Sequence, residues 1–397
     1  MTRTRLTDYR FLYVGPHGEQ ISEPEHMRAR IPVRRPGSRA DTSDGPTYSD
    51  YFHAIRAVLE AHREELLQAL SAKTGCEEDS IAQIDIVSEK HGSDYHPARI
   101  RVRSREANCA FVMNVALTER GKARLGQEFR LLRRFRDCFS RSFLPEVYFE
   151  AQDWEISSDK PHGMCMFMGE WFDEYHEFHL SRGQDGKCDE VAVWDFRRGV
   201  RRLSEHERNE LYRQTAYVLT YYYNVNTFEE VYPWHHASGD FVLRQVGDAV
   251  DVKLVTARQY APRVEYREDG PEHRVEALWL FLANLTLRNR LDRVDGVGDT
   301  ALAGEYSVYA TLNGFARALD TQSEEGRVSA QLLGEFEAQA REMSPAELAR
   351  IFAFVVSSYP EDAPEISLVG EHLIDHVFHV FRGLQRGIFA ARGGVES

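Results

Sequence analysis

The pattern of apolar residues differs between the middle of this chain and its second half, and that difference most limits what the chain can fold into. Between residues 81 and 117, apolar and polar residues alternate in IAQIDIVSE and ARIRVRS, and the apolar run CAFVMNVAL follows. Alternation with a period of two is typical of half-buried β-strands. From Ser204 onward, apolar residues recur mainly at the spacing of amphipathic helices. We therefore expect an α+β chain in which most strands precede most helices.

The strands are predicted in a definite order. Residues 81–89, 98–104 and 109–117 form three strands, and the first two make a hairpin around the turn-rich connector EKHGSDYHP. A helix is predicted over ARLGQEFRLLRRF (123–135), and LPEVYFEA and GMCMFMGEWF are predicted as two further strands. This part of the chain is thus expected to hold five strands and one helix.

The segments on either side of these strands have different patterns. Residues 1–47 are polar, rich in Pro, Gly and Arg, and without a sustained apolar period, which predicts an extended arm. Residues 48–80 are predicted as an N-terminal helix with one apolar face. Capping boxes of the form Ser-x-x-Glu begin predicted helices at Ser204 and Ser344. A second hairpin, FVLRQ and VDVKLVT around a Gly-Asp turn, is predicted within this later region.

The charge and the cysteines limit the partners and the compartment. The formal net charge is −14, whereas nucleic-acid binding requires a basic surface that displaces counterions. We therefore expect no nucleic-acid partner, and we interpret the arginines of RLLRRFRDCFSR as a solvated or salt-bridged helix face. No run approaches the roughly 18 apolar residues of a membrane span, and the start lacks a secretory signal. Five widely spaced cysteines are typical of reduced thiols. We expect a cytoplasmic protein without a membrane partner.

The stretch WHHASGDFVLR connects this element order to a known architecture. It lies between the predicted helix after Ser204 and the second hairpin, and GQEFRLL, which contains Glu128, lies in the helix between the strands. This order resembles the protein-kinase-like fold in its aminoglycoside-phosphotransferase-type branch, over roughly residues 80–320. The resemblance implies two lobes. They are a small five-stranded N-lobe with one helix and a hinge (81–180), and a larger, mainly helical C-lobe with extra C-terminal helices (181–397).

The resemblance also implies roles for individual residues. In that family a strand lysine and a helix glutamate hold the nucleotide phosphates, while loop carboxylates and an asparagine serve the acceptor hydroxyl and Mg²⁺. The glutamate corresponds to Glu128, and Asn114 stands in the place of the lysine. The first metal ligand corresponds to Asp240, whose oxygens suit Mg²⁺. His235 and Thr256 stand in the places of the catalytic aspartate and the second metal aspartate.

A second register makes Asp240 itself the catalytic aspartate, as in a His-Gly-Asp loop. It then expects an asparagine at Gln245, which leaves too few residues to complete the hairpin, so we favour the first register. Most groups that would hold metal and phosphate are missing in the first register. Loss of those contacts removes several kcal/mol of transition-state stabilisation. We therefore expect no ordinary Mg²⁺-dependent phosphoryl transfer.

Other ligand-binding candidates lie at the ends of predicted strands. EKHGSDYHPAR occupies the place of the family's phosphate-covering loop, where Lys90 or Arg99 would partly replace the missing lysine. A polar hairpin tip is the alternative interpretation. GEWFDEYHEFHLS follows the fifth strand, where an adenine would meet the hinge, and it offers Glu170 and Trp171.

The remaining candidates for catalysis or metal binding are histidines. A histidine can act as acid or base near neutral pH, and paired histidines can bind a metal. The alternative for each group is packing or hydrogen bonding. The candidate bases are His235 and His236, and the candidate metal groups are His176 and His179 with Glu177, and His372, His376 and His379 on one helix face.

These observations predict a pseudokinase-type binding or regulatory protein. Its expected ligand is ATP or a similar nucleotide with Mg²⁺ between the lobes, and a protein partner is expected as well. One alternative is an atypical phosphotransferase acting on a small molecule or a protein, with Asp240 on the metal, His235 or His236 as base and Arg99 on phosphate. The other alternative is an unrelated α+β interaction protein.

Overall fold

A computed structural model shows a chain of the α+β class, as predicted. The chain divides into two compact units, Met1–Asp173 and Glu174–Ser397, so the division lies a few residues before the predicted boundary at 180. The structure describes residues 8–15, 18–32, 45–75, 81–89, 92, 94–104, 108–154, 163–183, 190–195, 198–247, 249–266 and 270–387.

The first unit is built on a mixed sheet of seven strands. The order across the sheet is β2-β1-β3-β4-β5-β7-β6. β1 and β3 are parallel, and all other neighbours are antiparallel. The strands are β1 (Tyr9–Gly15), β2 (Gly18–Ile21), β3 (Ile81–Ser88), β4 (Ala98–Ser104), β5 (Asn108–Ala116), β6 (Val147–Trp154) and β7 (Met164–Glu170).

This sheet is larger than the five strands that were predicted. The five predicted strands form its contiguous part, β3-β4-β5-β7-β6, and β1 and β2 come from the segment expected to be an arm. Only Leu12 of β1 is buried. A strand with one buried residue does not need alternating apolar residues, and for that reason the sequence of β1 gave no strand pattern. Its place is set instead by pairing with β3 and by an ion pair from Arg10 to the buried Asp85 of β3, at 2.9 Å. Part of that segment, 33–44, lies outside the described residues.

The helices of the first unit also differ from the prediction. The expectation of one helix over 48–80 is wrong for the described residues, whereas the helix expected between the third and fourth predicted strands is present as α4 (Glu119–Cys138). The chain turns at His62, whose φ of −101° and ψ of 37° are not helical, so the segment forms two helices packed in the same core. The helices are α1 (Pro24–Arg28), α2 (Tyr48–Ala61), α3 (Arg63–Thr74) and α4 (Glu119–Cys138).

The second unit is mainly helical, with short strands. The predicted capping boxes are present at Ser204 and Ser344, where each serine side chain accepts from the backbone N–H three residues later. A Cβ on Gly314 would lie 2.0 Å from the carbonyl oxygen of Arg213, so this glycine allows the closest approach of α7 to α5. The helices are α5 (Glu205–Tyr222), α6 (Pro271–Arg288), α7 (Tyr306–Glu324), α8 (Ala330–Glu342), α9 (Pro345–Ser357) and α10 (Ile366–Gln385).

The predicted hairpin in this unit is confirmed, with Phe241 paired to Leu254. The other strands were not predicted, because runs of three to six residues carry too little alternation to stand out. They are β8 (Phe178–Ser181), β9 (Glu190–Asp195), β10 (Gly199–Arg202), β11 (Glu229–Val231), β14 (Tyr260–Pro262), β15 (Leu291–Arg293) and β16 (Thr300–Leu302), beside the hairpin strands β12 (Phe241–Val246) and β13 (Ala249–Leu254). Within the described part of the chain, no helix combines the length and apolar character that crossing a membrane requires.

Candidate functional site

The segment from Trp234 to Asp240 is a tight loop that leads into β12. A 3-10 turn over His236–Ser238 ends at Gly239, whose φ is 66°. A Cβ there would come within 2.8 Å of the Glu177 carboxylate, so both the backbone conformation and the close approach favour glycine. The loop thereby presents the carboxylate of Asp240 to the interior of the second unit.

Asp240 is 1% exposed, and both of its carboxylate oxygens are bonded. Arg258 donates from Nη1 to Oδ2 and from Nη2 to Oδ1, each at 2.5 Å, as a two-pronged ion pair. The backbone N–H of His235 donates to Oδ2 at 2.8 Å. A bidentate guanidinium pair is among the strongest charge-assisted contacts of proteins. The carboxylate predicted to hold Mg²⁺ is therefore already neutralised by a side chain of its own unit.

The candidate base His235 is likewise engaged through its ring. Arg288 lies with Nη2 2.8 Å from the His235 Nε2, and a guanidinium can only donate. Nε2 of His235 is therefore an acceptor. Burial, followed by the charge of Arg288, lowers the pKa of His235, so the neutral imidazole is favoured. Arg288 also pairs with Glu365 at 3.2 Å. The nitrogen that a base would use is thus occupied by a cation.

The other candidate base, His236, points into the core rather than toward Asp240. Asn289 donates from Nδ2 to the carbonyl of Tyr212 and to Thr311, which directs its Oδ1 to the Nε2 of His236 at 3.1 Å. Nε2 therefore carries the ring hydrogen, and Nδ1 has no hydrogen-bond partner among the described residues. Burial lowers the pKa of His236. The aromatic rings around it belong to Phe178, Tyr212, Trp234 and Phe241.

The candidates of the first unit lie in the sheet and on α4. Glu128 is 3% exposed on the inner face of α4. It interacts with Tyr95, and burial together with the Glu128 charge raises the pKa of that phenol. Asn114 lies at mid-strand in β5, paired with Phe167 of β7. Glu128 thus contacts a neutral tyrosine, a partner that differs from the lysine expected from the resemblance.

Two other candidates of this unit are brought together. The guanidinium of Arg99 lies over the indole ring of Trp171, 5.1 Å from its centroid. Arg99 also forms ion pairs with Glu19 of β2 at 2.6 Å and with Glu89 at 2.9 Å. Burial raises the pKa of Glu89 in spite of this cation. The candidate Lys90 lies outside the described residues.

Glu170 is positioned by a lysine that the sequence did not single out. Lys73, in the last turn of α3, donates to the carbonyls of Ala110 and Trp171 at 3.2 and 2.9 Å. Its ammonium lies 4.0 Å from a carboxylate oxygen of both Glu170 and Asp173. The end of β7 and the segment after it are therefore fixed to α3 by one cation.

The histidines considered for metal binding have other partners. Asp292 and Glu177 lie 3.4 and 3.8 Å from the two ring nitrogens of His179. Burial opposes its charge, but these carboxylates raise the pKa of His179 to about 9, so it is an imidazolium at neutral pH. His176 lies 3.6 Å from Asp195. Among the residues that the structure describes, no group of three or more His, Cys, Asp and Glu side chains is arranged to hold a metal.

On α10, the three histidines have separate environments. His376 is buried, with Nδ1 2.9 Å from Nη1 of Arg290 and Nε2 3.1 Å from the hydroxyl of Thr286. His379 lies 3.0 Å from Glu305, and His372 is exposed. Packing, the alternative considered from the sequence, describes the position of His376.

Sequence reasoning missed three cations that pair with candidate residues, Lys73 in the first unit and Arg258 and Arg288 in the second. Arg258 follows Thr256 by two residues, Arg288 ends α6, and Lys73 lies in the last turn of α3. For Arg258 a weak signal existed, because a cation close in sequence to a lost metal ligand is a candidate partner for the ligand that remains. No local signal identifies the other two. Neither a described protein family nor a curated protein matches this chain.

Proposed function

We propose that this protein is a catalytically degenerate, kinase-like module that binds a nucleotide-like small molecule and acts through binding rather than turnover. The observation that carries the proposal is the ion pair of Asp240 with Arg258, in which both carboxylate oxygens accept from the guanidinium at 2.5 Å. Coordination of Mg²⁺ at Asp240, whose side chain is 1% exposed, would require this pair to break.

The electrostatics of the loop support the same reading. Phosphoryl transfer concentrates negative charge that positioned cations must neutralise, and the loss of metal contacts removes several kcal/mol of stabilisation. His235 accepts a hydrogen bond from Arg288, and His236 faces Asn289. Neither ring presents a free nitrogen together with an orienting carboxylate, which general-base catalysis at a hydroxyl would use.

A ligand is proposed near Arg99 and Trp171 of the first unit. The guanidinium of Arg99 lies over the indole of Trp171 beside the end of β7, and such groups suit phosphate and base moieties respectively. Because Arg99 already pairs with Glu19 and Glu89, a phosphate would have to displace one of these carboxylates. The described cysteines, Cys109, Cys138 and Cys165, are thiols, which supports our proposal of a cytoplasmic location. We further propose that a protein partner binds this module and distinguishes its ligand-bound form from its ligand-free form.

Thermal unfolding with ATP, measured in Mg²⁺ and in EDTA, tests the proposal together with a phosphate-release assay. We expect ATP at about 100 times its Kd to stabilise the chain by about 3 kcal/mol, with no phosphate released above background. Trp171→Ala should remove the stabilisation by ATP. The matched control is Trp194→Ala, which changes a partly exposed tryptophan of β9 and should leave it intact.

Two outcomes would select the alternatives. Phosphate release that requires Mg²⁺ and is abolished by Asp240→Ala, in a variant with native circular dichroism, would select an atypical phosphotransferase. Absence of any response to ATP, ADP or AMP in the folded protein would select an interaction protein without a nucleotide ligand.

A further inference from the structure

A groove between α6 and α9 of the second unit is lined mainly by apolar side chains. Its volume is about 450 Å³, and small-molecule sites have volumes of roughly 300–1,000 Å³. Trp279 and Leu280 of α6, Ile351 and Phe354 of α9, and Met343, which follows α8, line this space. We call it the α6–α9 groove. It is large enough to hold a small molecule with an apolar body.

The helix α9 has more apolar surface than its packing in the core uses. Leu348, Phe352 and Val355 form its buried face. Ile351 and Phe354, which are three residues apart and therefore neighbours on the helix surface, line the groove instead, and Phe354 is 57% exposed. A helix that packs on one side only needs a single apolar stripe. The second apolar stripe of α9 thus offers surface that the apolar body of a ligand can remove from water.

The floor of the groove is fixed by contacts within the unit. Trp279 is 3% exposed, and its indole N–H donates to Oε1 of Gln339 at 3.1 Å. Its ring also packs on Phe336, with 4.4 Å between the ring centroids. A floor that is already ordered reduces the entropy that a ligand must give up on binding.

The charged side chains that line the groove sum to a net negative charge. They are the carboxylates of Glu276 on α6 and Glu347 on α9, and the guanidinium of Arg350 on α9. Hydrogen bonds from Ser344, followed by the charge of Arg350, lower the pKa of Glu347. Glu276, whose side chain is 61% exposed, lies 3.7 Å from His273. Two carboxylates and one guanidinium leave a surplus of one negative charge, and the whole chain, at −14, has the same sign.

We propose that the α6–α9 groove binds an apolar organic cation, of the class of quaternary ammonium or phosphonium ions. The apolar groups of such a cation cover the Ile351 and Phe354 side chains, and its charge lies among the carboxylates. An aromatic ring such as that of Phe354 also attracts cations, because its face is negative. An apolar anion of the same size is repelled by the surplus negative charge. The proposal is independent of the nucleotide-like ligand proposed for the first unit.

Isothermal titration calorimetry of the full chain with tetraphenylphosphonium chloride tests the proposal, with sodium tetraphenylborate as the comparison. These two ions have nearly the same shape and apolar surface and differ in the sign of their charge. At low NaCl concentration and about pH 8, where an ordinary histidine is neutral, we expect saturable binding of one cation per chain. It should be at least about tenfold tighter than binding of the borate, and the preference should shrink as NaCl is raised.

Two substitutions of charged lining residues should change the affinity in opposite directions. Glu276→Gln removes a negative charge and should weaken binding of the phosphonium about threefold, because exposed charges interact only moderately. Arg350→Gln removes the positive charge and should strengthen it by a similar factor. A general loss of structure would weaken binding in both variants.

Phe354→Ala removes apolar contact surface and should weaken binding of the phosphonium about tenfold. Its matched control is Phe378→Ala, which changes a phenylalanine of α10 that is 52% exposed and does not line the groove. The control for charge is Glu371→Gln, at an exposed position of α10. Each control should change the affinity less than about twofold. Circular dichroism and the unfolding midpoint of each variant separate loss of binding from loss of folding.

Four results would overturn the proposal. The first is absence of saturable phosphonium binding to the native chain. The second is borate binding as tight as phosphonium binding, which would show that the charge of the groove does not select cations. The third is unchanged phosphonium binding in Phe354→Ala, which would place the bound ion elsewhere. The fourth is a native dimer, measured by light scattering, that Phe354→Ala converts to a monomer, because a second copy of the chain would then cover the groove.

Discussion

Asp85 in the first unit and Asp240 in the second are both buried carboxylates paired with arginine, but they are held differently. Asp85 is 0% exposed on β3 and has three arginines within 3.0 Å, namely Arg10, Arg101 and Arg103. Burial opposes its charge, but hydrogen bonds led by that of Arg10 lower the pKa of Asp85 to about 2. Asp240 has one guanidinium and one backbone N–H.

The difference follows from the elements that supply the cations. In a sheet, neighbouring strands place several side chains around one position, so Arg10 of β1 and two arginines of β4 converge on Asp85. A loop end has fewer neighbours, and Asp240 depends on a single residue 18 positions later. Asp85 is therefore a structural ion-pair centre that tolerates the loss of one partner. Asp240, in contrast, loses its guanidinium partner when Arg258 alone is substituted.

Removal of Arg258 should have the largest effect. Arg258→Met leaves a carboxylate that is 1% exposed with only a backbone donor, and breaking a buried pair in this way costs about 3–5 kcal/mol. We expect that loss in the free energy of unfolding, measured with urea. The double variant Asp240→Asn with Arg258→Met removes the unpaired charge and should recover most of the stability. Equal stability of the single and double variants would show that the buried charge of Asp240 does not depend on Arg258 for its compensation.

Removal of Asp85 should have the next largest effect. Asp85→Ala abolishes three ion pairs, but the arginines are 18–42% exposed and can turn to water, so we expect a loss of about 2–3 kcal/mol. The control is Asp137→Ala, whose carboxylate is 62% exposed in its pair with Arg136, with an expected loss below about 1 kcal/mol. A loss in Asp85→Ala no larger than in this control would remove the distinction between a structural centre and a surface pair.

These two carboxylates also show what a sequence can reveal. The strands β3, β4 and β5 follow from alternation, and the loop around Asp240 follows from its place before a hairpin. β1 could not be predicted, because its position depends on Arg10 meeting Asp85 across 75 residues of sequence. The partner of Asp240 is similarly a property of the folded hairpin, since Arg258 comes into reach only after β12 and β13 pair.

The contacts of the candidate functional residues could not be predicted from the sequence either. Arg99 and Trp171 were selected separately from two loops, and the contact between them depends on β4 and β7 lying in one sheet. Lys73, which fixes Glu170, belongs to a helix that carried no functional pattern at all. Residue type and spacing indicate which side chains are chemically capable, whereas partners and protonation are determined by elements distant in sequence.

Acid should affect the second unit at a higher pH than it affects Asp85. Burial, followed by the charge of Arg290, holds the pKa of His376 well below its usual value. The unfolded imidazole binds a proton below about pH 6.5, so the free energy of unfolding should fall by up to about 1.4 kcal/mol per pH unit below that value. The contribution of Asp85 is retained until the pH falls through about 4 toward its folded pKa of about 2.

Urea unfolding of the native chain and of His376→Gln between pH 7.5 and 5 measures this difference. The variant should lose stability less steeply with acid than the native chain, although it is less stable at pH 7.5. Asp85→Asn should keep the native slope over this range, because Asp85 is ionised in both the folded and most unfolded chains there. If the dependence of the free energy of unfolding on pH changed in Asp85→Asn and not in His376→Gln, the loss of stability in acid over this range would belong to Asp85 and not to His376.

Removal of one arginine from Asp85 should have the smallest effect. Arg103 is 42% exposed in its pair with Asp85, and two other guanidinium groups remain within 3.0 Å of the carboxylate. Arg103→Met is therefore expected to cost less than about 1 kcal/mol, against the several kcal/mol expected for Arg258→Met. The two variants remove the same group from a buried aspartate, so the ratio of their losses, measured in one urea experiment, isolates the number of remaining cations as the cause. A loss in Arg103→Met equal to that in Arg258→Met would mean that the converging strands provide no redundancy.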